Sequence, residues 1–257
     1  ALAQLLGDPR PEVRDRAMFR LGQQGASAVP VLVQAAKPPS SVESRRNAIW
    51  TLARISGPEA RAAVRNALSD PSPEIVRTAL NVASLWRDAL AAPAVIPLLA
   101  NTDPQLARLA AETLGRTAAV AAVPKLLDAA ARIPERGSVS ATGSPEDQSI
   151  RVAEHAIIHA MIQIGATEPL FESLKLAREP RRTRAALVAL DQLSPKAFAA
   201  TDVLPFLSAT SPLVQRTAGW IAARRPDWGP ALTGYFESRL GQPPKSPAEV
   251  ARLEGQL

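Results

Sequence analysis

Two histidines on one helix are the residues of this sequence that come closest to a metal-binding pattern. His155 and His159 are four residues apart, which places them on one helix face, and Glu154 directly precedes the first of them. A closed zinc site needs a third and usually a fourth ligand, and a chain with 2 histidines and no cysteine has no second cluster to supply them. We therefore predict that the pair serves packing or helix capping, and that the chain holds no metal and no cofactor.

Signals of catalysis are missing from the rest of the sequence. There is no Gly-x-Ser-x-Gly nucleophile motif, no glycine-rich phosphate loop and no pair of carboxylates that stands out as an acid and a base. The lack of cysteine excludes disulfides, thiolate metal sites and covalent haem attachment through a CxxCH motif. No apolar run reaches the roughly 18–20 residues that a membrane-spanning helix needs. The sequence predicts a protein that is not an enzyme.

A short motif recurs along the chain with a period of roughly 31 residues. Its first copy reads Asp-Pro-Arg-Pro-Glu-Val-Arg-Asp-Arg-Ala from Asp8, and related copies begin at Ser44, Asp70 and Asp103. A fixed period of this size indicates stacked helical pairs, each of which buries its apolar stripe against its neighbours. The sequence therefore predicts an all-α fold, a right-handed α-solenoid of about seven helical pairs.

Each repeat should consist of two antiparallel helices, with proline at many helix starts. We expect the first helix of each pair to lie on the outside of the solenoid, at 11–22, 42–55, 73–86, 104–116, 148–164, 180–193 and 212–224. We expect the second helix to lie on the inside, at 26–36, 58–68, 91–100, 119–132, 166–177, 200–209 and 228–240. A last helix is predicted from Ser246, and 134–147 is predicted to be a loop inserted in a single domain, 1–257.

The charge balance is basic but spread along the chain. There are 30 Lys and Arg against 24 Asp and Glu, which gives a net charge of +6 at pH 7. Such a balance can serve nucleic acid or an acidic partner. Because the arginines occur in every repeat beside acidic residues, we expect them to be solvated or paired along helix faces. No specific nucleic-acid partner is predicted.

Two recurrent residue types have predicted structural roles. Arginines near one point of the first helices should be architectural and bridge to an aspartate of an Asp-Pro turn, such as Asp70 or Asp103. These arginines are Arg14, Arg45, Arg77 and Arg108. The four tryptophans do not share one position in the repeat, so we expect them to pack in the core or in a groove. They are Trp50, Trp86, Trp220 and Trp228.

Several stretches of the sequence resemble known repeat proteins. Residues 8–22 and 70–85 resemble short bacterial HEAT repeats of the pattern Asp-Pro-x-x-x-Val-Arg-x-x-Ala-x-x-x-Leu-Gly, which phycobilin lyase subunits share. Longer stretches resemble the HEAT segment of large bacterial PVC-type haem-binding, dehydrogenase-like proteins. The residues that carry this second resemblance are 45–52, 154–164, 184–193 and 220–229. The resemblance covers nearly the whole chain.

The second resemblance implies a context for the chain. Members of that family join a sugar-dehydrogenase-like β-propeller, a HEAT segment and a CxxCH cytochrome c domain, and they are exported. The implied protein is periplasmic or otherwise exported, with a cytochrome c or β-propeller domain as neighbour, although a cytoplasmic location stays open. The opening residues 1–6 are typical of a helix already under way, so we expect a piece of a longer protein. The family's haem motif is absent here because the chain has no cysteine.

We predict a non-enzymatic scaffold that binds a protein or an adjacent domain through its inner helices. The candidate contacts are the polar residues placed on those helices: Arg61, Arg65, Asn66, Lys125, Glu172, Lys175 and Arg239. Two alternatives stay open, a nucleic-acid-binding protein similar to HEAT-like DNA glycosylases and a HEAT subunit similar to bilin lyases. The first needs arginines clustered on a concave face beside aromatic residues and a carboxylate. The second depends on the shared repeat pattern alone.

Overall fold

The computed structural model describes residues 2–133, 145–176, 179–193 and 197–241. Within these ranges the regular structure is entirely helical, with short 3-10 turns at several helix starts and no strand. The predicted all-α solenoid class is confirmed. No helix in the described ranges is both long enough and apolar enough to cross a membrane.

In chain order the described helices form seven successive pairs, as predicted. The first helices are α1 (Pro11–Gln23), α3 (Val42–Leu52), α5 (Pro73–Trp86), α7 (Pro104–Arg116), α9 (Pro145–Ile164), α11 (Pro180–Leu193) and α13 (Pro212–Ala223). The second helices are α2 (Val29–Ala35), α4 (Pro58–Ala67), α6 (Ala92–Val95), α8 (Val123–Ala131), α10 (Glu168–Leu176), α12 (Ala200–Leu207) and α14 (Gly229–Leu240). The 3-10 turns are Leu2–Gly7, Gly25–Ala28, Ala89–Ala91, Ile96–Ala100, Val120–Ala122 and Pro226–Trp228.

Proline sets the start of most first helices. A proline at the first helical position has its φ fixed near the helical value, and its missing amide hydrogen would have had no partner there. The predicted bounds of α5, α7 and α11 match the structure. Helix α9 begins at Pro145 rather than at 148, so the predicted loop 134–147 ends earlier. Residues 134–144 of that loop, and the helix predicted from Ser246, lie outside the described residues.

The second element of the third pair departs from the prediction. A continuous helix was expected at 91–100, but α6 covers only Ala92–Val95, and 3-10 turns precede and follow it. Pro97 lacks the amide hydrogen that would continue the helical hydrogen-bond ladder, and its ring crowds the preceding turn. The tighter 3-10 geometry of Ile96–Ala100 is the result.

The chain divides into two compact units. Unit 1 comprises Ala1–Ala129 with Val139–Gly165, and unit 2 comprises Ala130–Ser138 with Ala166–Leu257. Each unit contains stacked helical pairs with an apolar core of Ala, Leu, Ile and Val side chains. That all of 1–257 is one repeat domain stays a prediction.

The two helical layers of unit 1 differ in how closely they pack. The first helices α3, α5, α7 and α9 pack directly against one another, whereas α4, α6 and α8 make few contacts among themselves in the described chain. Small side chains allow this approach: Ala48, Ala79, Ala110 and Ala160 are fully buried along the first-helix layer. The first helices therefore form the more closely packed layer of unit 1. That they lie on the outside of the solenoid stays a prediction.

Candidate functional site

A groove of about 610 Å³ lies on the first-helix layer of unit 1, and α3, α5, α7 and α9 all contribute to its walls. We call it the inner groove, since all of its walls come from helices within unit 1. The side chains that give it its chemical character are Trp50, Leu85, Arg116, Val152, His155 and His159. Residues more than a hundred positions apart in the sequence meet here because the repeats stack their equivalent helices side by side.

Helical spacing explains how α7 and α9 supply the groove. On α9, Val152, His155 and His159 are separated by three and four residues, so they share one helix face. On α7, Arg108, Glu112 and Arg116 also recur every four residues. The opposite faces of both helices are buried in the core, which leaves these faces to form the groove.

The two histidines line the groove instead of filling the core. Both side chains are exposed, and their rings stack with centroids 6.0 Å apart and planes inclined by 16°. The predicted packing role for this pair is therefore corrected to a surface position. Within the described ranges, no group of three His, Asp or Glu side chains could hold a metal ion. That the protein binds no metal stays a prediction.

Large apolar side chains are exposed along the groove. Leu85 of α5 is 65% exposed and Val152 of α9 is 42% exposed. Trp50 of α3 is half-buried at the same surface. Exposed apolar side chains that cluster in one recess, with polar residues around them, are typical of an interaction surface.

The charged groups of the groove come from α7. Nη1 of Arg108 lies 2.8 Å from Oε1 of Glu112 on the same helix, so these two charges neutralise each other locally. Arg116, one turn further along, is exposed, and no ion pair from the described residues reaches it. The charge available to a ligand is therefore the guanidinium of Arg116, and the two imidazoles on the facing helix offer hydrogen-bonding groups.

A row of ion pairs holds the first helices of unit 1 together beside the groove. Nε of Arg14 on α1 lies 3.3 Å from Oε1 of Glu43 on α3, and Arg46 contacts the same carboxylate at 3.3 Å. Nη1 of Arg46 also lies 2.7 Å from Oε1 of Glu74 on α5. Three consecutive first helices are thus linked, although each partly exposed pair contributes only about 0–1 kcal/mol.

One recurrent arginine makes the predicted bridge to an Asp-Pro turn. Nη2 of Arg45 lies 3.5 Å from Oδ1 of Asp70, and both side chains are buried. Arg14 differs, because its guanidinium donates to the carbonyl oxygens of Asp8 and Pro9 and pairs with Glu43 instead of with an aspartate. Arg108 pairs within its own helix, as described above.

The seven predicted contact residues are divided between the two units. Unit 1 contains Arg61, Arg65, Asn66 and Lys125, and unit 2 contains Glu172, Lys175 and Arg239. Several are already engaged within the fold. The guanidinium of Arg61 lies over the Trp86 ring, 5.0 Å from its centroid, and Nη1 of Arg65 lies 2.7 Å from Oδ2 of Asp88.

The other predicted contacts are mostly exposed. Nζ of Lys125 lies 3.4 Å from Oδ2 of Asp128, and Lys175 pairs with Glu172 within α10. Asn66 is exposed beside a small recess of about 170 Å³ on the second-helix side of unit 1. Arg239 is half-buried on α14. That these seven residues contact a partner stays a prediction.

A buried carboxylate joins α11 to the end of α13 in unit 2. Oδ2 of Asp191 lies 2.8 Å from Nη2 of Arg224, and Oδ1 accepts from Arg225. The guanidinium of Arg224 stacks 3.9 Å from the centroid of Trp220, and that of Arg225 lies 5.0 Å from the centroid of Trp228. The charges of this cluster are paired within the fold, which indicates a structural role.

Three of the four tryptophans thus carry an arginine on their ring face, and the fourth, Trp50, lines the inner groove. The predicted packing in the core or in a groove holds for Trp228 and Trp50, but Trp220 is 47% exposed, and the cation–π pairing was missed. Sequence spacing could have indicated one pair, because Trp220 and Arg224 are four residues apart on one helix.

Sequence reasoning singled out the histidines, Trp50 and Arg108 but missed the remainder of the groove. The sequence does indicate that Leu85 could be exposed, because it follows the polar Asn81 by four residues and so shares its face of α5. Val152 likewise follows the exposed Gln148 by four residues. An apolar residue on the polar face of an amphipathic helix could have indicated a contact surface.

The fold described above is a helical-repeat solenoid. Residues 1–86 match the family of HEAT repeats. A structure of importin beta in an ammonium sulfate condition is similar over 98% of this chain and 39% of that chain, with 12% identity and a TM-score of 0.60. Kap95p, solved with RanGDP, is similar over 87% of this chain and 35% of its own, with 17% identity and a TM-score of 0.56.

These similarities establish the fold alone, and the chain spans well under half of Kap95p or of importin beta. The phycocyanin lyase complex of CpcE and CpcF from Nostoc sp. PCC7120 aligns with 100% of this chain and 93% of its own. Its identity is 20% and its TM-score is 0.44, so it carries no argument here. No curated protein sequence matches the chain significantly.

Proposed function

We propose that this chain is a non-enzymatic scaffold module that binds another protein, or an adjacent domain, through the inner groove. The observation that carries the proposal is the groove itself, an exposed recess with apolar side chains from α3, α5 and α9. Repeat solenoids present extended surfaces to their partners, and an exposed apolar patch with a polar rim is typical of a protein interface.

The groove is better suited to binding than to catalysis. Among its described lining residues the one carboxylate, Glu112, is held by Arg108 at 2.8 Å. Nucleophilic catalysis would need a hydrogen-bonded relay of a nucleophile, a base and an orienting group. The two histidines of the groove instead stack on each other. A binding role needs only that the side chains of His155, His159 and Arg116 are exposed to a ligand, and they are.

The similarity of fold to Kap95p also supports a protein-binding role, but more weakly. Kap95p, which shares the fold, binds RanGDP, and RanGDP is a protein partner. A shared fold does not transfer a partner, so this supports only the general class of function.

The finer context rests on the sequence resemblance. We propose that the module belongs to a larger exported haem-binding or dehydrogenase-like protein, with a cytochrome c or β-propeller domain as the bound neighbour. The full-length sequence tests this directly. A CxxCH motif downstream of residue 257 and an export signal upstream of residue 1 are expected, and their absence from the whole protein would contradict the context.

A reconstituted complex tests the scaffold function. Candidate partners are retrieved from source cells with the immobilised chain, produced recombinantly and mixed with it at known concentrations. Isothermal titration should then show a complex of fixed stoichiometry, with both proteins chemically unchanged by mass spectrometry. If no purified candidate forms a complex, or if the chain turns over its partner, the scaffold function is contradicted.

A further inference from the structure

We infer that the inner groove binds an acidic segment of its partner, in which a large apolar side chain is flanked by carboxylates. The inference rests on the proposed scaffold function and adds to it the chemistry of the ligand. Three features of the groove carry it: the exposed apolar side chains, the excess of positive charge and the exposed amide side chains.

The apolar part of the groove can accept one large side chain. Trp50, Leu85 and Val152 come from three different helices and face the same recess of about 610 Å³. Leu85 and Val152 are 65% and 42% exposed, so water contacts apolar surface that the fold itself does not cover. Burying an aromatic or aliphatic anchor there would remove that surface from water, which is the main source of affinity at protein interfaces.

The charge of the groove selects carboxylates as the flanking groups. Arg108 and Glu112 of α7 pair with each other at 2.8 Å, which leaves Arg116 on that helix. Helix α9 adds the hydrogen-bonding imidazoles of His155 and His159, and α3 and α5 contribute no ionisable side chain to the lining. An acidic segment would therefore find a complementary surface, whereas a basic one would be repelled by Arg116.

Exposed amides favour a polypeptide. Asn81 of α5 and Gln163 of α9 both line the groove with exposed side chains. Each amide can donate to a carbonyl and accept from an N–H, which suits the backbone of a bound segment.

A single-stranded nucleic acid fits the same surface less well. Such ligands use rows of aromatic platforms together with a track of basic residues. The groove has one such platform, Trp50, and its exposed aliphatic residues, Leu85 and Val152, would gain nothing from phosphates. We therefore assign the groove to a protein segment and use an oligonucleotide as the competing probe.

Three fluorescent peptides and one oligonucleotide test the assignment with the full chain. Each peptide has a central Trp-Leu pair, and the flanking residues are all Glu, all Gln or all Lys; the oligonucleotide is oligothymidylate. Fluorescence anisotropy should show that the Glu peptide binds on the order of tenfold more tightly than the Gln peptide. The Lys peptide should bind most weakly of the three.

Matched variants locate the binding. Arg116→Ala and Leu85→Ala should each weaken binding of the Glu peptide by about tenfold. Lys37→Ala and Leu90→Ala are the controls, since both residues are exposed in unit 1 outside the groove, and they should leave binding within about twofold. All four side chains are exposed, so unchanged circular dichroism and melting temperature are expected throughout.

Each contrary outcome overturns a definite part of the inference. Equal affinities of the Glu and Gln peptides would contradict the preference for an acidic partner. Tighter binding of oligothymidylate than of any peptide would favour a nucleic-acid ligand instead. If no peptide binds while a reconstituted protein complex survives Arg116→Ala and Leu85→Ala, the groove assignment fails and the scaffold function stands. If no protein complex can be reconstituted at all, the scaffold function fails first.

Discussion

Gly115 on α7 and Ala160 on α9 lie in such close contact that no side chain fits between them. A Cβ added to Gly115 would lie 2.8 Å from the Cα of Ala160 and 2.6 Å from Oε1 of Gln163. The glutamine can move, but the Cα of Ala160 belongs to the backbone of α9. This contact sets the separation of the two helices that carry Arg116 and the histidine pair, and so the width of the inner groove.

We predict that Gly115→Ala destabilises the protein by about 1–3 kcal/mol, because the added methyl group must push α9 away. Gly219→Ala is the matched control, since a Cβ there meets nothing within 4 Å inside α13. The control should be neutral or more stable by about 0.5–1 kcal/mol. Urea unfolding followed by circular dichroism measures both, and a Gly115→Ala variant as stable as the wild type would contradict the close contact.

A buried ion pair carries more of the stability than an exposed one. We expect Arg45→Ala to lower the free energy of unfolding by about 3 kcal/mol, because it leaves the buried carboxylate of Asp70 without its cation. Arg46→Ala removes partly exposed pairs to Glu43 and Glu74 and should cost about 0–1 kcal/mol. Thermal unfolding compares the two variants. Equal losses would show that the Arg45–Asp70 bridge is not a structural link.

Much of the fold could be predicted because local signals and the repeat agree. The starts of α5, α7 and α11 follow from proline at the first helical position, and the repeat period fixes their spacing. The break in α6 could also have been predicted, because Pro97 would interrupt a helix over 91–100. The repeat pattern by itself predicts a continuous helix there.

The packing of the layers and the groove could not be predicted in the same way. How closely equivalent helices approach is decided by contacts such as that of Gly115 with Ala160, two residues distant in sequence. The groove combines Trp50, Leu85 and His159 from three repeats, so no single stretch of sequence contains it. Polarity alone marked Arg61 and Arg65 as contacts, and the structure shows both engaged with partners of the next repeat.

The turn before α1 should show a local dependence on pH. Arg10 donates side-chain hydrogen bonds to both carboxylate oxygens of Asp8, and these lower the pKa of Asp8 from 3.8 to about 2. A carboxyl with a lowered pKa stabilises the folded state above its unfolded pKa, and that contribution is lost as the pH falls through the folded value. The turn should therefore loosen between pH 3.8 and about 2.

Carbon-detected NMR titration of Asp8 tests this dependence. The midpoint should lie near pH 2 in the wild type and move toward 3.8 in Arg10→Ala. If the titration midpoint of Asp8 is the same in Arg10→Ala as in the wild type, the side chain of Arg10 is not the cause of the lowered pKa.

The histidine pair should not retain a metal ion through purification. Two imidazoles on one helix face provide half of a tetrahedral site, and the described residues add no third ligand. Elemental analysis of the purified protein should find no stoichiometric zinc or iron. One tightly held metal per chain that is lost in His159→Ala would contradict this prediction.

Photo-crosslinking from the groove tests the central claim most directly. Benzoylphenylalanine is placed at Leu85 in the inner groove, at Leu90 outside it, and at Lys175 among the predicted second-helix contacts, and each protein is irradiated with the purified partner. We expect the Leu85 position to give an adduct that maps by mass spectrometry to an acidic, apolar segment and is suppressed by the Glu peptide. Adducts from Lys175 alone, with none from Leu85, would show that the inner groove is not the binding surface.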